Sequence, residues 1–183
     1  MNDFERLTTL AKHRKQNFGR SVTTEIYRPG KDILAVSKMH DDYHDIHIII
    51  LVDGEKFTIK DIAARMERIP YPVCELSNNG VKRLIGLNIF KRGILKDVKE
   101  KYPRAEGCTH IFEMLESSFR ALFGAISSFI GEQIIGDVHL ELEESRQVGI
   151  ANPTLRNTCM AFSEKDEKPE LLELTIKKIN FKQ

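Results

Sequence analysis

The chain has 183 residues, 41% of them hydrophobic, and its 28 basic and 27 acidic side chains leave a formal net charge of +1. That is the size of one core-burying globular domain with a C-terminal extension, and the charge balance gives no global argument for nucleic acid or an anionic membrane. No apolar run approaches the roughly 18 residues of a spanning helix, and no signal-peptide core follows the basic residues Lys12, His13, Arg14 and Lys15, so the cytoplasm is the expected compartment.

In chain order, residues 1–20 carry Phe4, Leu7, Leu10 and Ala11 at helical spacing and then the basic cluster. This is a short helix or loose arm, either a solvated end or a contact for an anion or partner. Val22 to Arg28 reads as a strand, Pro29-Gly30 as a turn, and Ile33 to Met39 as a second strand. His40 to His47 leads into Ile48-Ile49-Ile50-Leu51-Val52, which is apolar on both faces and so belongs in a central strand. Asp53-Gly54 is a hairpin signal, with Phe57-Thr58-Ile59 returning. The first third is therefore an antiparallel meander.

From Lys60 the apolar period changes. Ile62, Ala63, Met66 and Ile69 fit one face of a helix that ends before Pro70, and Pro70-Tyr71-Pro72 is stiff and extended. Val81, Leu84 and Ile85 suggest a short helix, and Ile94 to Tyr102 another. The longest helical pattern runs from about Cys108 to Ile130, with Ile111, Leu115, Phe119, Leu122, Ile126 and Phe129 in one stripe. Val138, Leu140 and Leu142 alternate as a strand, in competition with a helix through Glu144. Leu172, Leu174 and Ile176 alternate as a final strand or edge. The expected fold class is α+β: an N-terminal antiparallel meander, then a helical segment packed on one face, with a C-terminal strand. The expected division is an arm at 1–20, one domain at 21–165 and an extension at 166–183.

The chemistry gathers at Glu106-Gly107-Cys108-Thr109-His110, the entry to the long helix. Gly107 supplies the unusual backbone of a tight entry, and Thr109 or Cys108 stands at the N-cap. A sulfur there lies in the positive end of the helix field, which favours thiolate. Cys108 and His110 share no face of a regular helix, because two residues rotate by roughly 200°. They meet only if Cys108 lies outside it. Cys74 closes the Pro-Tyr-Pro segment. Three cysteines far apart are no disulfide framework; in a reducing compartment they are ligands, nucleophiles or buried apolar residues. On the strand entry, Asp42 and His44 share one face, whereas His40 and His47 read as a polar strand start. Gly80, Gly86 and Gly93 form no phosphate loop, and no Gly-x-Ser-x-Gly elbow occurs, so hydrolase and nucleotide-binding readings gain no support. Aromatic residues interleaved with basic ones are also missing, which argues against single-stranded nucleic acid.

Pro70-Tyr71-x-x-Cys74, Leu84-Ile85-Gly86-Leu87-x-Ile89 and Gly107-Cys108-Thr109-His110-x-x-Glu113 resemble the bacterial family known as domain of unknown function 2889. Asp42-x-His44-Asp45 and Thr158-Cys159-x-Ala161 extend the resemblance to roughly residues 20–165; Gly93-Ile94 departs from it where an aromatic is expected after the glycine. The family implies a shared site without naming a reaction. The order of Cys74 and Cys108 is also distantly similar to that in SufE- and NifU-like iron–sulfur scaffold proteins, although their spacings differ.

Three readings follow. In the leading one, Cys74, Cys108 and His110 hold zinc, iron or an iron–sulfur cluster, with His44, Asp42 or Cys159 completing the shell. In the second, Cys108 is the thiolate of an enzyme or sulfur carrier, with His110 or His44 as its base. In the third, the cysteines are core residues of a domain that binds a protein partner.

Overall fold

A computed structural model describes residues 2–12, 14–103 and 105–181. Met1, His13 of the basic cluster, Arg104, Lys182 and Gln183 lie outside the described residues. The chain forms two compact units, residues 1–122 and 123–183. The division falls inside the long helix.

The first unit opens with helix α1 (Asp3–Ala11), closed by a reciprocal cap between Asn2 and Glu5 and burying none of its residues. Strands β1 (Arg20–Tyr27), β2 (Ile33–Asp41), β3 (Asp45–Val52) and β4 (Ile59–Arg68) then make an antiparallel sheet in the order β1-β2-β3-β4. This is the expected meander, and its cause is period-two burial. Ile33, Ala35, Ser37, Met39 and Asp41 of β2 turn inward, as do Ile46, Ile48, Ile50 and Val52 of β3. Each fully buried isoleucine contributes roughly 1.5–3 kcal/mol relative to an exposed one. β3 is central by pairing, yet its outer face is open, with Ile49 exposed.

The expected helix over residues 60–69 is strand β4. Its register slips between Leu51 and Val52 of β3, which pair with Asp61 and Ile59, so that Lys60 is the extra residue of a bulge. The bulge spaces the inward residues Ile59 and Ile62 by three. The small Ala64 lies half-buried between Ile62 and Met66, so the large apolar residues stand four apart. Threes and fours on a bulged strand mimic a helical stripe.

A run of 3-10 helix spans Pro72–Leu84, followed by α2 (Ile94–Lys101) and α3 (Thr109–Ile135). The first half of α3 buries Ile111, Met114, Leu115, Ser118 and Leu122. It meets the inner sheet face through Ser118, whose hydroxyl lies 2.6 Å from that of Ser37. Ser37 also bonds Thr24 of β1, at 2.8 Å, so a line of hydroxyls joins β1, β2 and α3.

The second unit contains the end of α3, α4 (Leu142–Ala151) and α5 (Pro169–Phe181). The expected strand over Val138–Leu142 does not form: Val138 is buried but Leu142 is 90% exposed, and a capping box between Glu141 and Glu144 starts α4 there. The expected C-terminal strand is α5. Pro169 suits a first helical position, and the covered residues Leu171, Leu172, Thr175 and Ile179 recur every three or four positions, leaving Leu174 and Ile176 outside. Gln147, fully buried, ties α4 to the connecting loop. It donates to Glu143 and to the Asp166 carbonyl and accepts from the Lys168 amide. No described helix is long and apolar enough to cross a membrane.

Candidate functional site

A polar cluster in the first unit is built on the turn between β2 and β3. The Asp41 amide donates to the His44 carbonyl, closing the turn. Asp41 Oδ1 accepts the amides of Tyr43 and His44, both at 2.8 Å, and faces His44 Nδ1 at 2.9 Å. Arg20, opposite Asp41 in the register, donates to Oδ2 through Nε at 2.8 Å, holds a second guanidinium nitrogen 2.8 Å from the same oxygen as an ion pair, and reaches Glu113 of α3 at 3.0 Å. Arg68 clamps the turn from β4 by donating to the Asp41 carbonyl.

Asp41 is 2% exposed. Burial favours its neutral form, but the Tyr43 amide, Arg20 and His44 outweigh burial and hold the carboxyl well below the usual carboxylate range. An ionised carboxylate can only accept, so His44 Nδ1 donates to Asp41.

His44 lies against His110, with ring centroids 4.0 Å apart and planes inclined at 47°. His110 Nδ1 in turn lies 3.7 Å from the Cys108 sulfur. This contact exists because Cys108 stands just outside α3: the Phe112 amide donates to its carbonyl, and Thr109 is the first helical residue. Burial, followed by the charges of His44 and Arg20, pushes the His110 imidazole below its ordinary value. His110 is therefore a neutral base at physiological pH.

Tyr102 fixes the loop that carries the thiol. Its hydroxyl accepts the Cys108 amide at 2.9 Å and donates to the Ser77 carbonyl. Ser77 Oγ donates to the Cys74 carbonyl. One phenol thus ties the Cys74 segment to the Cys108 loop. Gly107 is required here for space rather than for a left-handed backbone: a Cβ would stand 2.6 Å from the Tyr102 ring. Gly80 meets the same ring from the other side, where a Cβ would stand 2.8 Å away.

Cys74, Cys108, His110 and His44 line one open groove of about 580 Å³, walled further by Pro70, Tyr71, Val73 and Leu76. The structure therefore brings four of the six expected site residues to one place. Asp42 is not among them. The chain turns at 42–43, so strand alternation does not apply, Asp42 is exposed, and Asp41 takes the position beside His44. Cys159 is exposed in the second unit. His40 and His47 flank Asp45, at 3.7 and 3.0 Å, away from the groove lining. Among the described residues, no three His, Cys, Asp or Glu side chains gather as a metal shell.

Asp41, Arg20 and Tyr102 are the site residues that sequence reasoning missed. A carboxylate placed to accept the amides two and three residues ahead is a turn signal, and it could have identified Asp41 over Asp42. Arg20 and Tyr102 act across 21 and 6 residues and carry no local signature.

A meander sheet carrying a helix, with a thiol–imidazole pair in a groove at the helix entry, defines an α+β domain with one candidate reactive centre. The chain belongs to the family described as Protein of unknown function (DUF2889), whose model matches residues 23–123. That match covers the sheet from the fourth residue of β1 onward, the groove residues and the first half of α3, and it leaves Arg20 outside. No curated protein and no solved structure matches the chain, and the distant likeness to iron–sulfur scaffold proteins is left without support.

Proposed function

We propose that this protein is a thiol-dependent enzyme in which Cys108 is the nucleophile and His110 its general base. The observation that carries this reading is the 3.7 Å approach of the Cys108 sulfur to His110 Nδ1 beside an open groove. A neutral His110 accepts the thiol proton as the sulfur attacks. His44, immobilised by Asp41, packs on the His110 ring and fixes its orientation, which is the part a third group plays in nucleophile–base pairs.

Peptide-resolved mass spectrometry of iodoacetamide alkylation tests the reading on metal-free protein. Cys108 should react at least tenfold faster than the exposed Cys159 near neutral pH, and His110→Gln should remove most of that advantage. Equal rates at the two cysteines would overturn it.

One observation favours a second reading. A histidine whose Nδ1 is held by a carboxylate is also the form that binds metals through Nε2. In this reading Cys74, Cys108, His110 and His44 hold zinc or iron, or an iron–sulfur cluster. Near-stoichiometric metal in anaerobically purified protein, lost in Cys108→Ala, would support it. Acid-labile sulfide would select the cluster.

A further inference from the structure

The groove has two unlike walls. One carries Cys108, His110 and His44. The other is the stiff segment after β4, which presents Tyr71, Val73 and Leu76 to solvent at 67%, 67% and 78% exposure. Exposed apolar side chains need no explanation when scattered, but here three fall within six residues and all line one concavity facing a nucleophile. Two prolines, Pro70 and Pro72, and the bond from the Cys74 amide to the Tyr71 carbonyl hold this wall in place. Glu106 is the one Asp, Glu, Lys or Arg among the described lining residues, and Arg83 pairs with it at 2.7 Å. The described lining therefore offers no free Lys or Arg to recognise a carboxylate or phosphate. A groove of about 580 Å³ is of the size that takes a small organic molecule.

We infer that the substrate is a neutral ester or thioester with an apolar acyl group, and that Cys108 carries the acyl group as a thioester. The inference rests on the thiol–imidazole reading. The sulfur attacks the acyl carbonyl carbon, and its proton passes to His110 Nδ1. A carbon–sulfur bond forms, the bond from the acyl carbon to the leaving oxygen or sulfur breaks, and the His110 proton leaves with the departing group. Water or a second nucleophile then takes the acyl group by the reverse steps. No electron acceptor or donor is needed. The apolar wall covers the acyl chain, so transfer quickens as the chain lengthens until the groove is filled.

The test uses the full chain and p-nitrophenyl acetate, butyrate, hexanoate and octanoate. Acylation is read by p-nitrophenol release and by intact mass, with Cys108→Ala as the control. The acylation rate should rise about two- to fourfold per methylene from acetate to hexanoate, the range expected when each methylene is partly or fully covered. Leu76→Asp, at an exposed position, should fold with an unchanged melting temperature and lose at least tenfold with hexanoate. Equal rates along the series, or an acyl mass that persists in Cys108→Ala, would overturn the inference. If no ester acylates Cys108 while iodoacetamide labels it rapidly, the acyl inference fails and the thiol–imidazole reading stands. If neither reagent finds a fast Cys108, both fail together.

Discussion

Replacing Asp41 by Asn tests whether the buried carboxylate organises the site. Asn keeps one carbonyl oxygen, enough for the amides of Tyr43 and His44 that Asp41 Oδ1 now accepts. Its NH2 group must then face Arg20, whose hydrogen bond and ion pair with Oδ2 are lost. Breaking a fully buried pair costs about 3–5 kcal/mol because the surviving charge is stranded. Arg20 is a quarter exposed and retains Glu113 at 3.0 Å, so the expected loss is about 2–3 kcal/mol. Urea unfolding with an unchanged slope measures it. Asp42→Asn, at an exposed position, is the control and should lie within about 0.5 kcal/mol of the wild type. The difference also depends on pH. A carboxyl held below its ordinary range contributes stability above its unfolded value of about 3.9 and loses it as the pH falls further. The gap between wild type and Asp41→Asn should therefore be full at pH 6 and shrink below about pH 4. A loss below about 0.5 kcal/mol at pH 6, or equal losses at positions 41 and 42, would refute the reasoning.

Other outcomes follow from the same geometry. Gly107→Ala drives a Cβ into the Tyr102 ring and should cost about 1–3 kcal/mol in urea unfolding. Gly124→Ala, on α3 with open space around it, should instead gain roughly 0.5–1 kcal/mol. Ser118→Ala removes a buried partner of Ser37 and should cost about 1–3 kcal/mol; the Ser37→Ala/Ser118→Ala double variant should lose less than the sum of the singles. Gln147→Leu frees the loop through Lys168 and should show as faster proteolysis there. His110 is held below its ordinary value, so the unfolded chain takes up that proton first. Stability should fall as the pH drops through and below about 6.5, and His110→Gln should flatten that slope.

The sheet is legible at β2 from alternation and at β3 from its continuous apolar run, although only one face of β3 is buried, and Asp53-Gly54 marks the turn between β3 and β4. It was illegible at β4, because a bulge and the small Ala64 turn a period of two into threes and fours. The sequence of α5 reads as a strand because Leu172, Leu174 and Ile176 alternate, although its covered face includes Thr175, a polar residue that donates to the Leu171 carbonyl. At the site, the condition for Cys108 and His110 to meet could be stated from helix geometry alone, and the structure satisfies it. The choice of Asp41 over Asp42 could not be read that way, since it depends on where β2 stops and the turn begins.

The central claim is that Cys108 and His110 form a pair whose proton moves between sulfur and Nδ1, with His44 locked behind them. Side-chain 15N NMR of the histidines, followed across pH in the wild type and in Cys108→Ser, tests it most directly. The account predicts that His44 keeps a proton on Nδ1, facing Asp41. It also predicts that His110 titrates below 6.5 and that its titration moves when the sulfur is replaced. A His110 that titrates normally and ignores the replacement, or a His44 protonated on Nε2 alone, would contradict it.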